Sequence, residues 1–587
     1  MGPISFYNRF EFFCYCGLDI MMETVPPTPT AEERKVVQEF GDLLEASKNL
    51  FNGLRDLPQY GQRQWQPYFA RTFETYTKLW KFQQENRLVL DSVYGLKRWQ
   101  IGEIASKIGQ LYYHYYLRTS EANYLNEAYH FYSAIRTRNY YKNAHKEESC
   151  SDLLLKKHRY YARFIVVCLL LDYKQDVYNL VMDFSKQVEE QKQNLENNGQ
   201  EWTQVVSEIK AFLDAEPVEV LKAETYQKCD LSMRLCPGIL PPPEKGVQAH
   251  VTLGDAIIVG NSPSQLKFSE LTIDMFRMIQ VLERKPVSPK DSQKNDKTIP
   301  TNENGKTQLK RDNPHKYLLY RPTFYQLFTF VSTAVKELPP GQALLLYISA
   351  HGTKPNRPQD PGGYEYGGVI TNDRKDEGNV LTKLSPKKTS TLIKNMHCLH
   401  PGDLIPFTRK PLLIIIDSDN SRSFAEMPNY FGQPFICLMS PEELPAAMKD
   451  NFENGRLLTL FLYSPVFAFM QVCGVNQTSD RVYETCSQVV HKALDESQRA
   501  YLRSRILDHG YLQIFGDDFL RLILLRFVFC FCVLRLHRAF KDDSYYPSSH
   551  PELPTEDFVG NPAINKAIVD MADVLGVRTL FLDADGR

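Results

Sequence analysis

Lys410-Pro-Leu-Leu-Ile-Ile-Ile-Asp-Ser-Asp-Asn-Ser421 is the stretch that decides the fold. Five consecutive aliphatic residues, Leu412 to Ile416, begin just after a proline and stop at a polar, turn-forming cluster, which is the form of a parallel strand buried on both faces. In an open parallel sheet, ligands and catalytic groups gather beyond the carboxyl ends of the strands, so Asp417, Ser418 and Asp419 fall where chemistry is expected. A second strand, Leu344 to Ser349, ends in Ala350-His351-Gly352 and brings an imidazole to the same edge if the two strands are parallel neighbours. Pro434 to Met439 and Ala256 to Val259 supply further strands, and Phe268 to Leu282 reads as a helix. From Tyr317 onward strands and helices alternate, which predicts an α/β layer architecture.

The amino-terminal part has a different period. Ile101, Ile104, Ala105, Ile108, Tyr112 and Tyr115 recur at three and four residues and mark one face of a helix. Leu125, Ala128, Tyr132 and Ile135 continue at that spacing in a second helix, with Ser120 as its cap and Glu121 at its positive end. Leu154, Tyr161, Ile165 and Leu169 mark a third. Gly109-x-x-Tyr112 with Ala128-x-x-x-Tyr132 resembles part of the tetratricopeptide pattern, in which small residues let antiparallel helices approach; a generic helical hairpin fits as well, because no second copy follows. The many tyrosines here read as core.

The predicted fold is therefore α plus α/β, an all-helical amino-terminal domain followed by an α/β domain with a mainly parallel sheet. The expected boundaries are a disordered tail at 1–30, helices over 31–232, a proline-rich linker at 233–247 containing Leu240-Pro-Pro-Pro243, and the α/β domain over 248–587. A polar excursion at about 284–313 lacks apolar residues to bury and is expected to be disordered.

With 69 basic against 70 acidic residues in 587, the formal charge is -1, so no global field favours nucleic acid or an anionic membrane. A local basic face, for example Lys306, Lys310 and Arg311 in the polar excursion, would escape this count. The 12 cysteines form no CxxC pair, and several lie in apolar runs, which predicts free thiols in a reducing compartment. Met1 to Ile20 has no basic region leading into an apolar core and is not read as a secretory signal. Gly2 is followed by Pro3 and lacks the Ser or Thr of a myristoylation site. Phe164 to Leu171 is too short to span a bilayer, and Phe519 to Leu536 is interrupted by Arg521, Arg526 and Arg535, so both are expected to be buried core helices.

Strands ending at His351-Gly352 and at Asp417-Ser418 look like the caspase-type arrangement, in which imidazole and nucleophile come from the ends of neighbouring strands. The nucleophile position is held here by Ser418, which would need His351 within reach and an oxyanion site. His351, Ser418 and Asp417 thus form an alternative, hydrolytic reading beside one with no catalytic residues, since fold analogy alone does not establish function. His397-Cys398-x-His400 offers three ligand types, but no second cluster completes a zinc site, and a structural turn is expected. Pro361-Gly-Gly-Tyr364 lacks the Lys-Ser or Lys-Thr of a phosphate loop.

Longer strings carry a more specific signal. Leu50-Phe-Asn-Gly-Leu-Arg-Asp-Leu-Pro-Gln-Tyr60, the run from Tyr94 to Arg118, Asn313-Pro-His-Lys-Tyr-Leu-Leu-Tyr320 and Met396-His-Cys-Leu-His-Pro-Gly-Asp403 closely resemble the suppressor of cancer cell invasion family, from about Glu33 to the carboxyl terminus. The resemblance implies a non-enzymatic transcriptional cofactor of nucleus and cytoplasm. Such a cofactor represses myocardin-related coactivators of serum response factor downstream of Rho and formin signalling and restrains cell migration. It also implies a link to DNA breaks through a p53-binding repair factor on chromatin. No catalytic residues, cofactor or metal come with it, and DNA is expected to be reached only through partners. The segment Met1 to Val25 departs from the basic, arginine-rich tail that the resemblance implies.

Overall fold

The computed structural model describes residues 29–142, 150–191, 198–236, 238–242, 251–285, 313–354, 364–372, 397–446, 448 and 453–583. The expected tail up to residue 28, the excursion over 286–312, the linker from Pro243 onward and Pro361 to Gly363 lie outside the described residues. The chain divides into two compact units, Met1–Thr203 and Gln204–Arg587.

The first unit contains α1 (Ala31–Gly53), α2 (Gln62–Glu85), α3 (Arg98–Thr119), α4 (Ala122–Thr137), α5 (Cys150–Leu170) and α6 (Lys174–Gln191). A capping box opens α1: the Thr30 hydroxyl accepts from the Glu33 N–H at 3.2 Å, and the Glu33 carboxylate accepts from the Thr30 N–H at 2.7 Å. The apolar faces read from the sequence are all buried, including Ile101, Ile108 and Tyr112 on α3, Leu125 and Tyr132 on α4, and Leu154 and Ile165 on α5. Tyr132 lies flat on Gly109, where an added Cβ would stand 3.1 Å from the ring, so the glycine sets how closely α3 and α4 approach. Tyr76, Tyr112, Tyr115, Tyr116, Tyr132 and Tyr160 are core, whereas Tyr94, Tyr173 and Tyr178 are exposed; Phe73 and Tyr112 have ring centroids 4.8 Å apart, and Tyr115 and Tyr124 4.6 Å apart. Ser120 does not cap α4. It takes the left-handed conformation with φ 56° and closes α3 by donating its N–H to the Tyr116 carbonyl at 2.7 Å, leaving Glu121 at the start of α4.

The division between the units falls inside α7 (Asn198–Leu213), well before the boundary expected at residue 232. The segment expected to end the helical domain and begin a linker is packed into the second unit. Glu219–Leu221 pairs in parallel with Gln477–Ser479, Arg234 donates to the Gln280 side chain at 2.8 Å, and the Ala215 carbonyl accepts from buried Arg277 at 3.1 Å. These pairings are long-range in sequence, which is why composition alone placed the break too late.

The main sheet of the second unit holds β1 (Thr252–Asn261), β2 (His315–Tyr320), β3 (Gln342–Ala350), β4 (Leu412–Asp417), β5 (Phe435–Met439) and β6 (Ser548–His550). Their order is β6-β5-β4-β3-β1-β2, with every neighbour parallel except β6, which is antiparallel to β5. All six residues of β4 are buried, as a central strand covered on both faces requires. The expected helix at Phe268 to Leu282 is shorter. Ser269, at φ 57°, turns a small hairpin of Lys267–Phe268 with Leu271–Thr272, and Thr272 then caps α8 (Ile273–Val281) by accepting from the Met275 N–H.

Further helices are α9 (Phe324–Glu337), α10 (Leu457–Tyr463), α11 (Asp480–Arg503), α12 (Asp518–Leu536) and α13 (Pro562–Val574). The axis of this layer is α12, buried at every residue but Asp518 and Arg535 and packed on β1, α10 and α11. Arg526 lies fully inside and donates to the Leu462 and Tyr463 carbonyls at 2.5 and 2.9 Å, satisfying the carboxyl end of α10 with a cation that also suits its dipole. Among the described residues no helix is long and apolar enough to cross a membrane.

Candidate functional site

The register settles the geometry that the sequence left conditional. β3 and β4 are parallel neighbours with Asp417 opposite Ser349, so His351 and Ser418 do leave the sheet at one edge. In the strand order 2-1-3-4-5 that edge, between β1 and β3, is also the switch point where α/β sheets open a crevice.

Alternation along the strand then separates the three candidates. Asp417 points toward α8 and α10, where its carboxylate accepts from the Thr459 N–H at 3.0 Å and the Thr459 hydroxyl at 2.7 Å. Burial pushes its carboxyl up to about 6, an effect that Arg456 opposes and Asp274 adds to. Ser418 is fully buried. Its N–H donates to the Ser440 hydroxyl at 2.9 Å, that hydroxyl donates to the Ser418 carbonyl at 3.0 Å, and the Ser418 hydroxyl accepts from the Asn420 N–H at 3.3 Å. His351 is half exposed, and its Nδ1 lies 3.8 Å from Asp419 Oδ1. The imidazole is thus close to a carboxylate, while the Ser418 hydroxyl is buried and bonded to the Asn420 N–H.

Asp419 ties the strand ends together. It accepts from the Gly352 N–H at 2.8 Å and lies 3.7 Å from the Arg456 guanidinium. Burial alone would raise its carboxyl, but His351, the Gly352 N–H and Arg456 outweigh that and hold it well below the usual carboxylate range.

Around these residues is a network that sequence reasoning missed. Asp274, at the head of α8, accepts from the Ser349 hydroxyl at 2.8 Å, the Gln265 amide at 2.5 Å and the Arg456 N–H at 3.1 Å. Arg456 donates to the Ala350 carbonyl at 3.0 Å, and Tyr347 and Thr459 share a hydrogen bond at 2.5 Å. Asn420 donates to the carbonyls of Thr353, Tyr366 and Gly368, holding the small sheet of Gly352–Thr353, Gly368–Ile370 and Cys398–Leu399. The signal available in the sequence was an isolated charge heading an apolar run, as in Ile273-Asp274-Met275 and Arg456-Leu457-Leu458. Chemically, the arrangement clamps the ends of β3 and β4 and leaves the Ser418 hydroxyl buried.

His397-Cys398-x-His400 is a strand followed by a turn: Cys398–Leu399 pairs with Val369 and Ile370, and the His400 N–H donates to Asp403 at 2.9 Å. Among the described residues no group of three or more His, Cys, Asp or Glu side chains is placed to hold a metal ion.

A family model described as Protein SCAI matches residues 42–540. The chain belongs to the SCAI family. It is similar to Protein SCAI of Mus musculus and of Homo sapiens, each 50% identical over 94% of this chain and 90% of the relative. It is also similar to the Protein SCAI homolog of Dictyostelium discoideum, 34% identical over 95% of this chain and 92% of the relative. No solved structure matches the chain. Those names state no enzymatic activity, and the matched span contains both His351 and Ser418.

Proposed function

We propose that this chain is a non-enzymatic transcriptional corepressor that restrains the complex of a myocardin-related transcription factor with serum response factor, downstream of Rho signalling, in nucleus and cytoplasm. What carries the reading is similarity along 94% of the chain to proteins of the SCAI family, rather than over one short motif. The burial of Ser418 supports it from the other side, because a hydrolase with this topology needs its nucleophile open to substrate. A second role at DNA breaks, through a p53-binding repair factor on chromatin, belongs to the same proposal. The near-neutral charge favours reaching DNA through these partners.

A serum-response reporter tests the reading in cells lacking the endogenous protein. Wild-type chain, Ser418→Ala and His351→Ala are expected to repress the reporter equally at matched protein levels. Loss of repression in both variants, with thermal melts unchanged, would instead point to chemistry.

A further inference from the structure

The near-zero net charge conceals a cationic face on the first unit. Along α3, Lys107, His114 and Arg118 are spaced by seven and four residues and share one side of the helix. Lys156 and Arg163, seven apart on the adjoining α5, face them, and Arg55 joins from the turn that follows α1. The floor is aromatic: Lys107 Nζ stands 4.3 Å above the Phe51 ring, and the His114 ring stacks on Phe51 with centroids 5.9 Å apart. Glu103 is a carboxylate acting on Lys107, and Lys156 already holds it at 2.9 Å. Lys107, Arg163 and Arg55 have no ion-pair partner among the described residues.

This arrangement works against the fold. Burial pushes the Lys107 ammonium down, and Arg163, Arg55 and Lys156 push it further, against Glu103. Burial and four neighbouring cations push His114 down to about 4, so it is neutral at physiological pH. Half-buried like charges over an apolar floor are a poor way to stabilise a helical unit and a good way to bind an anion, since a pair formed there is little screened by water.

We propose that the face formed by Arg55, Lys107 and Arg163 is the docking site for an acidic peptide segment of a partner protein. An extended or helical peptide can bring single carboxylates to Lys107 and Arg163, partly sunk between helices, and to exposed Arg55 beside them. A nucleic-acid duplex would need a broad row of exposed cations to meet its regularly spaced phosphates. The inference stands apart from the corepressor reading, because it names the chemistry of a surface and holds whichever partner supplies the segment.

The test is fluorescence anisotropy on the full chain with a labelled glutamate-rich 12-mer, a lysine-rich 12-mer and a mixed-sequence duplex. The glutamate-rich peptide is expected to bind, to weaken severalfold as salt rises from about 50 to 200 mM, and to lose roughly tenfold or more in affinity in the double variant Lys107→Met, Arg163→Met. Removing the repulsion should leave the melting temperature of that variant equal or higher, which separates lost binding from lost folding. The proposal fails if the wild-type chain ignores the acidic peptide, if the double variant binds it equally well, or if the duplex binds more tightly than the peptide.

Discussion

Gly352 shows why single residues at the sheet edge were only half legible. In the sequence its place after His351 suggested a catalytic pair, but its need for a hydrogen in place of a side chain comes from Asn420. A Cβ on Gly352 would lie 2.2 Å from the Asn420 Cβ and 2.7 Å from its backbone nitrogen. Gly352→Ala should therefore cost about 1–3 kcal/mol by overpacking, and more if the Gly352–Asp419 hydrogen bond is lost, as a thermal melt would register. Asp417 was legible as a strand-end carboxylate, yet nothing in the sequence told which face it takes or that Thr459 and Arg456 meet it there. Its environment predicts a pH dependence. The folded carboxyl, at about 6, lies above its ordinary value of 3.8, so between these values the folded state keeps a proton that the unfolded chain has released. Its contribution to stability is full below about pH 4, falls as pH rises through the window, and is constant above about 6. Urea denaturation of wild type and Asp417→Asn from pH 4 to 7.5 should show the variant gaining on the wild type by about 1–3 kcal/mol across that window. A constant difference would contradict the assignment. Asp419, shifted the opposite way, acts only below about pH 4 and does not blur the measurement.

Elements were read best where one periodicity ran undisturbed. β4 was visible because five aliphatic residues cannot alternate inside and out, and α3 and α4 because their apolar spacing never leaves 3.6. Misreadings came where a single backbone conformation intervened. Ser120 at φ 56° moved a cap from one helix to its predecessor, and Ser269 at φ 57° cut a hairpin out of an expected helix; neither serine announces a left-handed turn as a glycine would. The contact of α3 with α4 depends on Gly109, whose missing side chain leaves space for the Tyr132 ring. Gly109→Val must either push that ring away or part the helices, and the expected cost is about 1–3 kcal/mol in a denaturant titration. Gly41, where nothing lies within 4 Å of an added Cβ, supplies the control, and Gly41→Ala in the middle of α1 should be neutral or stabilising.

At the scale of the whole chain, the class of fold was legible and the division between units was not. Residues 214–242 read as the end of one domain and a linker, yet they give the second unit a strand opposite Gln477–Ser479, a carbonyl for buried Arg277 and, through Glu216, an acceptor for the Tyr463 hydroxyl at 2.9 Å. A fragment spanning 204–587, the whole second unit, should accordingly be folded and soluble, whereas one beginning at 248 leaves the Arg277 guanidinium short of an acceptor inside the protein and should melt markedly lower or precipitate. Equal melting temperatures for the two fragments would overturn this assignment of the segment. The arginines of α12 carry a different consequence, one that concerns the chain while it is being made. A 19-residue helix of this composition, until it has packed on β1, α10 and α11, has nearly the length and greasiness that membrane-insertion machinery accepts. Each arginine near its middle raises the cost of insertion by roughly 2.5–3.5 kcal/mol. Arg526, which in the finished fold reaches the carbonyls of Leu462 and Tyr463, lies near that middle, so the same side chain that caps α10 also disfavours insertion of the still unpacked segment into a bilayer.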